Sequence, residues 1–403
     1  MSTAKIVGLG AVSPSGLTKE DLFQSVKNSE SRINRACLGH EAEGLAVISQ
    51  SDWSTLLAES PEPLKSNRCT QISAWSLSAA LKESKWTASQ IAEAGFVFSS
   101  TTSQISQWEK VLFRYLEESA NPEQLRAGVQ NQSLGAPMLA LAGHFGLRGP
   151  RSLITSSCSA SLQALAVALF WIRSKKVKRC LVGATELHSN LTRVGFQSLR
   201  LLSPKICRPF DKNRGGINLG EASAFLCLEA DDQEPPAWGY LAGAGLSTDA
   251  FHATSPDPSG QGSRRALEMA LASAQVKPEQ IGWIYAHGTG SIANDASEAK
   301  AVQQIFQSSS APQPWLSGTK AIHGHTLAAS GALESVLGLM AMKRNEILGT
   351  FMCEEPDPSL SVRIALETKT LPSNESLNFF IKNSLGFGGI NASLVFSKNG
   401  SSQ

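Results

Sequence analysis

The chain reads as an α/β protein built either from two similar core units or as one large α/β assembly. Strand-like and helix-like segments alternate along most of its length. Its 403 residues are more than one compact core usually holds. One stretch also echoes another. "ALKESKWTASQIAEAGFVFSS" from Ala80 and "ALASAQVKPEQIGWIYAHGTG" from Ala270 both run helix, polar turn, Gln-Ile pair, buried strand, small residues.

The elements follow in order. "KIVGLGAV", "GFVFSS", "RCLVGA", "SAFLCLE", "IGWIYAH" and "NFFIKNS" are apolar runs of strand length. "SAWSLSAALKES", "SLQALAVALFWIRS", "SRRALEMALASA" and "GALESVLGLMAMKRN" are long enough, and apolar at the right spacing, for helices. The acidic and then Pro-rich "DDQEPPAWG" at 231–239 marks the boundary between the units, giving residues 1–235 and 236–403. A second echo pairs the helix after Cys158 with the helix after His325, since each follows a strand and a small-residue loop.

With 42% hydrophobic and 17% charged residues, the composition is that of a soluble globular protein. A net charge of +2 is too small to argue for a nucleic-acid partner. The N-terminus lacks the apolar run of a signal peptide, and the longest apolar run, "ALAVALFWI", is too short to span a bilayer. A cytoplasmic protein is expected. The seven cysteines are odd in number and widely spaced, with no CxxC, so neither a disulfide framework nor a zinc ribbon fits. Cys180 and Cys227 lie in strand-like runs and read as small buried hydrophobes.

Three loops carry chemistry. In "ITSSCSASLQALAVAL", Cys158 stands at the start of a helix, where free N–H groups and the helix dipole favour a thiolate and lower a thiol pKa. Its small neighbours leave room for an acyl group. A buried structural cysteine fits that segment equally well. In "YAHGTGSIANDASEAKAV" a strand ends at His287, small residues bring backbone close to a ligand, Thr289 and Ser291 offer hydroxyls, and Asn294 or Asp295 caps the next helix. An ordinary core histidine is the competing reading. In "SGTKAIHGHTLAASGALES", Lys320, His323 and His325 share one short loop. A metal site is disfavoured there, because no carboxylate or cysteine stands at ligand spacing and Lys320 brings a fixed cation. No metal is expected.

Together these loops resemble the condensing enzymes of the thiolase superfamily, and more narrowly the β-ketoacyl-[acyl carrier protein] synthase I/II group. In that group a nucleophilic cysteine sits in a "TACSS"-like turn, matched by "TSSCSAS" with Cys158. The first histidine lies in "HGTGT…D…E", matched by "HGTGSIANDASE" with His287. The second lies in "K…GHT.GAAGA.E", matched by "KAIHGHTLAASGALE" with Lys320, His325 and Glu334. "RPFD..R.G...GE" appears as "CRPFDKNRGGINLGE", and "NSFGFGGTNAS" as "NSLGFGGINAS" from Asn383. The likeness runs over nearly the whole chain. Departures are mild: Ser291 and Ile390 replace Thr, Leu385 replaces Phe, and Ser330 replaces Ala. Some segments, such as "SSTTSQISQWEK", resemble aryl-polyene-type synthases, with fatty-acid elongation the alternative.

The resemblance implies a thiolase-like fold, a duplicated αβαβα five-layer architecture with Cys158 in the first half and both histidines in the second. It implies acyl transfer from acyl carrier protein to Cys158, then decarboxylative Claisen condensation with malonyl carrier protein. The backbone N–H groups of Cys158 and Phe387 would form the oxyanion hole, and Lys320 and Glu334 a supporting ion pair. Thr289 and Ser291 would bind the phosphopantetheine arm, while Phe196, Phe387 and Gly388 would shape the acyl entrance. No cofactor is implied beyond that substrate-borne arm. Acidic carrier proteins imply a basic docking patch, for which Lys65, Arg68, Arg200 and Lys205 are the candidates. The depth of the acyl pocket would depend on residues such as Thr101 and Thr102. The family implies a homodimer, or a heterodimer with a chain-length-factor-like subunit. A silent chain-length-factor-like role for this chain is the alternative function, and the intact Cys-His-His set speaks against it.

Overall fold

The computed structural model describes residues 3–33, 44–59, 64, 67–118, 122–123, 126, 133–230, 238–307 and 312–400. The boundary stretch 231–237, Cys37 and Lys65 lie outside them. Among the described residues the strands are β1 (Ala4–Val12), β2 (Leu45–Ala46), β3 (Gly95–Ser99), β4 (Arg151–Ile154), β5 (Arg179–Glu186), β6 (Leu219–Gly220), β7 (Ala222–Ala230), β8 (Gly239–Thr248), β9 (Trp283–Tyr285), β10 (Trp315–Ser317), β11 (Glu346–Ile347), β12 (Lys369–Thr370), β13 (Phe379–Gly386) and β14 (Ile390–Ser397).

Ten of these strands form one sheet in the order β10-β9-β13-β14-β8-β1-β7-β5-β3-β4. Its symmetry is internal. Counted within its own five, the first set (β1, β3, β4, β5, β7) and the second (β8, β9, β10, β13, β14) both run third, second, fourth, fifth, first from the outer edge inward. The two sets meet where β1 pairs antiparallel with β8 over Ala4–Leu241, Lys5–Tyr240 and Ile6–Gly239. The two echoes seen in the sequence fall at equivalent places. "GFVFS" and "WIY" are each the second strand of their set.

Helices make three further layers. Arg68–Ser84 covers β1 and β7 on one outer face, and Gln261–Ala274 covers β8 and β14 on the other. Between the sheet halves lie Ala160–Arg173 and Ser330–Lys343, which pack on each other and on strands of both halves. Their composition suits that place. "SGALESVLGLMAMK" is buried from Ser330 to Met342, as a helix apolar all round must be. Of the two arrangements the length allows, the core is that of one large α/β assembly. The largest apolar cluster joins Leu165, Val182 and Leu226 of the first half to Leu333, Phe380 and Leu394 of the second. Smaller clusters lie beneath the outer helices.

A shared glycine pattern lets each outer helix approach. A Cβ at Gly8 or Gly10 of β1 would stand 2.2 Å from Ala80 O or 1.9 Å from Ser76 O. A Cβ at Gly243 or Gly245 of β8 would stand 2.5 Å from Ala270 O or 2.0 Å from Ala266 O. The first strand of each half thus lies at backbone distance from its helix. Among the described residues no helix is long and apolar enough to cross a membrane.

Gly245→Ala is therefore expected to lower the unfolding free energy by about 1–3 kcal/mol, since its methyl overlaps backbone that cannot yield. Gly143→Ala, on an exposed helix position with nothing within 4 Å, should raise it by about 0.5–1 kcal/mol. Denaturant midpoints of the two variants check the contrast, and equal midpoints would refute it.

Candidate active site

Both central helices are preceded by loops that end side by side. Strand β4 leads into the turn Thr155–Ser159, and the helix begins at Ala160, so Cys158 stands two residues before it rather than inside its first turn. Ser157 sits in the left-handed region at φ 47°, a conformation costly for a residue with a Cβ, and it reverses the chain just before Cys158. The β13–β14 turn comes down on the other side. Ser384 Oγ donates to Cys158 O at 2.8 Å, and a Cβ on Gly386 would lie 3.4 Å from Cys158 N.

The His325 loop approaches from the second half. His325 Nε2 stands 3.1 Å from Cys158 Sγ. Its Nδ1 accepts the Leu327 N–H at 3.3 Å and meets Ser330 Oγ at 2.9 Å. Accepting at Nδ1 leaves the proton on Nε2, so the imidazole presents an N–H to the thiol. The His287 ring lies 5.1 Å from the His325 ring, edge to face at 82°. Cys158 Sγ and a nitrogen of each ring fall within 4.8 Å of one another. His323 does not join them: its ring nitrogens meet Gly324 O at 2.8 Å and Thr319 Oγ1 at 2.9 Å.

Two carboxylates of the Ile292–Phe306 helix hold the His287 loop. Glu298 accepts the N–H groups of His287 at 2.7 Å and Gly288 at 2.9 Å. Asp295 accepts those of Thr289 at 3.0 Å, Gly290 at 3.2 Å and Phe210 at 2.8 Å. The expected cap is corrected. Ser291 caps this helix, accepting the Asn294 N–H at 3.4 Å, while Asp295 turns inward to the loop.

Lys320 Nζ donates to His287 O at 2.5 Å and to Glu334 Oε1 at 2.6 Å. The sequence reading missed a second ammonium. Lys382 Nζ, fully buried on β13, stands 2.9 Å from Glu334 Oε2. The available signal was a lysine inside the apolar strand "FFIKNS", because a buried charge must be paired. Burial opposes the Glu334 charge, but Lys320 and then Lys382 outweigh it and hold the carboxyl at about 2.

Burial favours the neutral forms of all three reacting groups. Burial, then Lys320, pushes both His287 and His325 well below the usual histidine range. The lowered thiol pKa expected from the sequence is also corrected. Burial lifts Cys158 to about 12, against the lowering pull of Lys320 and of the N–H groups of Cys158 and Phe387.

A cavity of about 280 Å³ leads to these groups. Phe196 and Phe387 line it, their rings stacked with centroids 5.3 Å apart at 24°. Thr289, Ser291 and Arg200 line it as well. Gly388 does not. It is exposed, at φ 84°, with its N–H on Ala253 O at 2.7 Å. Lys205 is exposed. Arg68 lines a different groove, its guanidinium 3.8 Å from the Trp53 ring centre. Thr101 and Thr102 are pinned through their N–H groups to buried Glu186, at 2.8 and 2.9 Å.

Residues 2–234 match the family model for the beta-ketoacyl synthase N-terminal domain, and residues 238–354 that for its C-terminal domain. The chain belongs to the beta-ketoacyl synthase family. It is similar to 3-oxoacyl-[acyl-carrier-protein] synthase 2 of Synechocystis sp., with 28% identity over 98% of this chain and 97% of that one. It is 34% identical to nodulation protein E of Rhizobium leguminosarum bv. trifolii over 67% of this chain and 68% of that one. Among solved structures it resembles a ketosynthase (ApeO) in complex with its chain length factor (ApeC) from Xenorhabdus doucetiae, at TM-score 0.80 and 27% identity over 98% of both chains. This beta-ketoacyl synthase thus falls in the I/II group of the thiolase superfamily, among acyltransferase-type condensing enzymes.

Two outcomes are expected from this electrostatic arrangement. Alkylation of Cys158 should quicken about tenfold per pH unit through pH 9 without levelling, because only the thiolate reacts; a plateau near neutrality would contradict the protonated resting thiol. Glu334→Gln leaves two buried ammonium groups without a carboxylate and should cost about 3–5 kcal/mol of stability. Because the Glu334 carboxyl is held below its ordinary 4.5, its contribution is complete above pH 4.5 and fades as pH falls toward 2. The gap between wild type and variant should close over that window in denaturant titrations.

Proposed function

We propose that this synthase loads an acyl group from acyl carrier protein onto Cys158 and condenses it with malonyl carrier protein, extending the chain by two carbons. The observation that carries this reading is the meeting of Cys158 Sγ and both imidazoles at the end of one cavity.

In the loading step Sγ attacks the thioester carbonyl. The bond to the pantetheine sulfur breaks, and the proton given up by Sγ ends on the departing pantetheine thiol. The Cys158 and Phe387 N–H groups hold the carbonyl oxygen as it becomes negative, a role worth about 3 kcal/mol per donor. In the second step the malonyl C–C bond breaks, CO₂ leaves with neither of its oxygens transferred, and the bonding pair becomes an enolate. His287 and His325 donate hydrogen bonds to the enolate oxygen without giving up a proton. The enolate carbon attacks the acyl-Cys158 carbonyl, a C–C bond forms, and Sγ leaves as a thiolate that takes one proton from solvent.

In this reading Lys320 and Glu334 orient the histidine loops. Thr289 and Ser291 bind the amides of the phosphopantetheine arm, Phe196 and Phe387 govern its entry, and Gly388 bears on it only through the turn that follows Phe387. The chemistry needs no cofactor or metal. Residues 1–235 and 236–403 are the two thiolase-like halves. Arg200, which lines the cavity, leads the carrier docking patch, to which Lys205, Arg68 and Lys65 are also assigned. A cytoplasmic dimer fits, either of two copies or with a chain-length-factor-like subunit, as the ApeO ketosynthase has. The product is a fatty acid or a polyene- or polyketide-type chain, the aryl-polyene class among them.

The test is the intact mass of the protein after exposure to a panel of acyl carrier proteins. Wild type should gain an acyl mass that Cys158→Ala does not. His287→Ala and His325→Ala should still load yet lose CO₂ release from malonyl carrier protein by about a hundredfold or more. No mass gain with any donor, in folded protein, would sink the reading in favour of a silent subunit.

A further inference from the structure

The single Lys320–Glu334 pair implied by the family resemblance is, in this chain, a three-membered cluster. Glu334 offers Oε1 to Lys320 at 2.6 Å and Oε2 to Lys382 at 2.9 Å. The two ammonium groups also divide a run of backbone. Lys382 donates to Tyr285 O at 3.2 Å, Ala286 O at 2.9 Å and Asn383 O at 2.5 Å, and Lys320 takes the next carbonyl, His287 O, at 2.5 Å. Three consecutive carbonyls, the last belonging to His287 itself, therefore rest on two lysines clamped by one carboxylate. That carboxylate belongs to the helix whose preceding loop carries His325.

We propose that Lys382 is a positioning residue for His287: it fixes the carbonyl run from which that imidazole hangs and couples it, through Glu334, to the His325 side of the site. The inference rests on the condensing function proposed above and concerns its CO₂-releasing step. Removing Lys382 would leave the carbonyls of Tyr285 and Ala286 without this donor and Glu334 Oε2 without this counter-charge in a dry interior, and the strand end would have to shift to find others.

The cluster also sets a charge. Lys382 faces Glu334 and, through it, Lys320 and His323; Glu298 acts on it from the Ile292–Phe306 helix, and its ammonium lies 5.1 Å from the Tyr285 ring centre. Its charge reaches His287 and His325, favouring their neutral forms. Burial, against the pull of Glu334, brings Lys382 down to about 8. Above that pH the amine loses one N–H donor and the cluster loses one positive charge, so the clamp loosens from the alkaline side.

The experiment follows each half-reaction separately across pH 6–10 in wild type, Lys382→Met and Lys382→Arg. In wild type, Cys158 acylation should rise with pH while CO₂ release from malonyl carrier protein falls above about pH 8. Lys382→Met should reduce CO₂ release about tenfold more than acylation, chiefly in kcat, and should lose the alkaline fall. Lys382→Arg, which keeps the charge, should recover part of the rate without the fall. The ¹⁵N shifts of the His287 imidazole should step near pH 8 in wild type. That step needs neither turnover nor a folded variant. A flat imidazole signal and a flat CO₂ profile in wild type would overturn the proposal, as would Lys382→Met reducing both half-reactions equally. Failure of wild type to acylate at all would instead strike the functional reading, and the imidazole titration would then decide Lys382 alone.

Discussion

Two largely apolar helices must bury most of their surface, and that requirement organises the molecule. Ala160–Arg173 and Ser330–Lys343 meet it only between the sheet halves, packed against each other. Gly331 makes the contact close, since a Cβ there would stand 2.7 Å from Leu162 Cγ, and Ser161 Oγ accepts the Ala332 N–H at 3.0 Å. Helices held in this way have their entrances fixed relative to each other. Cys158 precedes one and His325 the other, so a sulfur and a nitrogen 167 residues apart in sequence lie 3.1 Å apart in space. The site is a consequence of the core.

The charges of the site stand one layer behind its chemistry. Sγ and both imidazoles are uncharged, while the full charges of Lys320, Lys382 and Glu334 lie where backbone and ion pairs satisfy them. A buried charge beside the reacting carbon would bring its own desolvation cost to every step. Placed behind the histidines, the same charges hold the backbone of the His287 loop through Lys320 and Lys382.

The sequence was most informative where chemistry sits in a loop between a strand and a helix. Cys158, His287 and His325 stand among Gly, Ser, Thr and Ala in such loops, and close packing of backbone against side chain requires those small neighbours. Lys382 showed only as a lysine inside an apolar strand, and its role stayed hidden because the groups that make it tolerable, Tyr285 O and Glu334, lie on other elements. Strand β8 was missed for a related reason. The glycines that let the Gln261–Ala274 helix approach it also erase the apolar pattern of "GYLAGAGLST". The state of Cys158 was misjudged because a helix end is local and visible in sequence, whereas burial is tertiary. The same limit applied to Asp295, which looked like a cap and became the anchor of a loop.

The protonated resting state of Cys158 has a meaning for the lifetime of the protein. Peroxide and other oxidants act on sulfur in proportion to its thiolate character. A thiol held near 12 presents almost none at neutral pH, and stacked rings line the passage that leads to it. Burial therefore keeps the Cys158 sulfur in its less oxidisable form at neutral pH, where oxidation to sulfinic acid would be irreversible without dedicated repair.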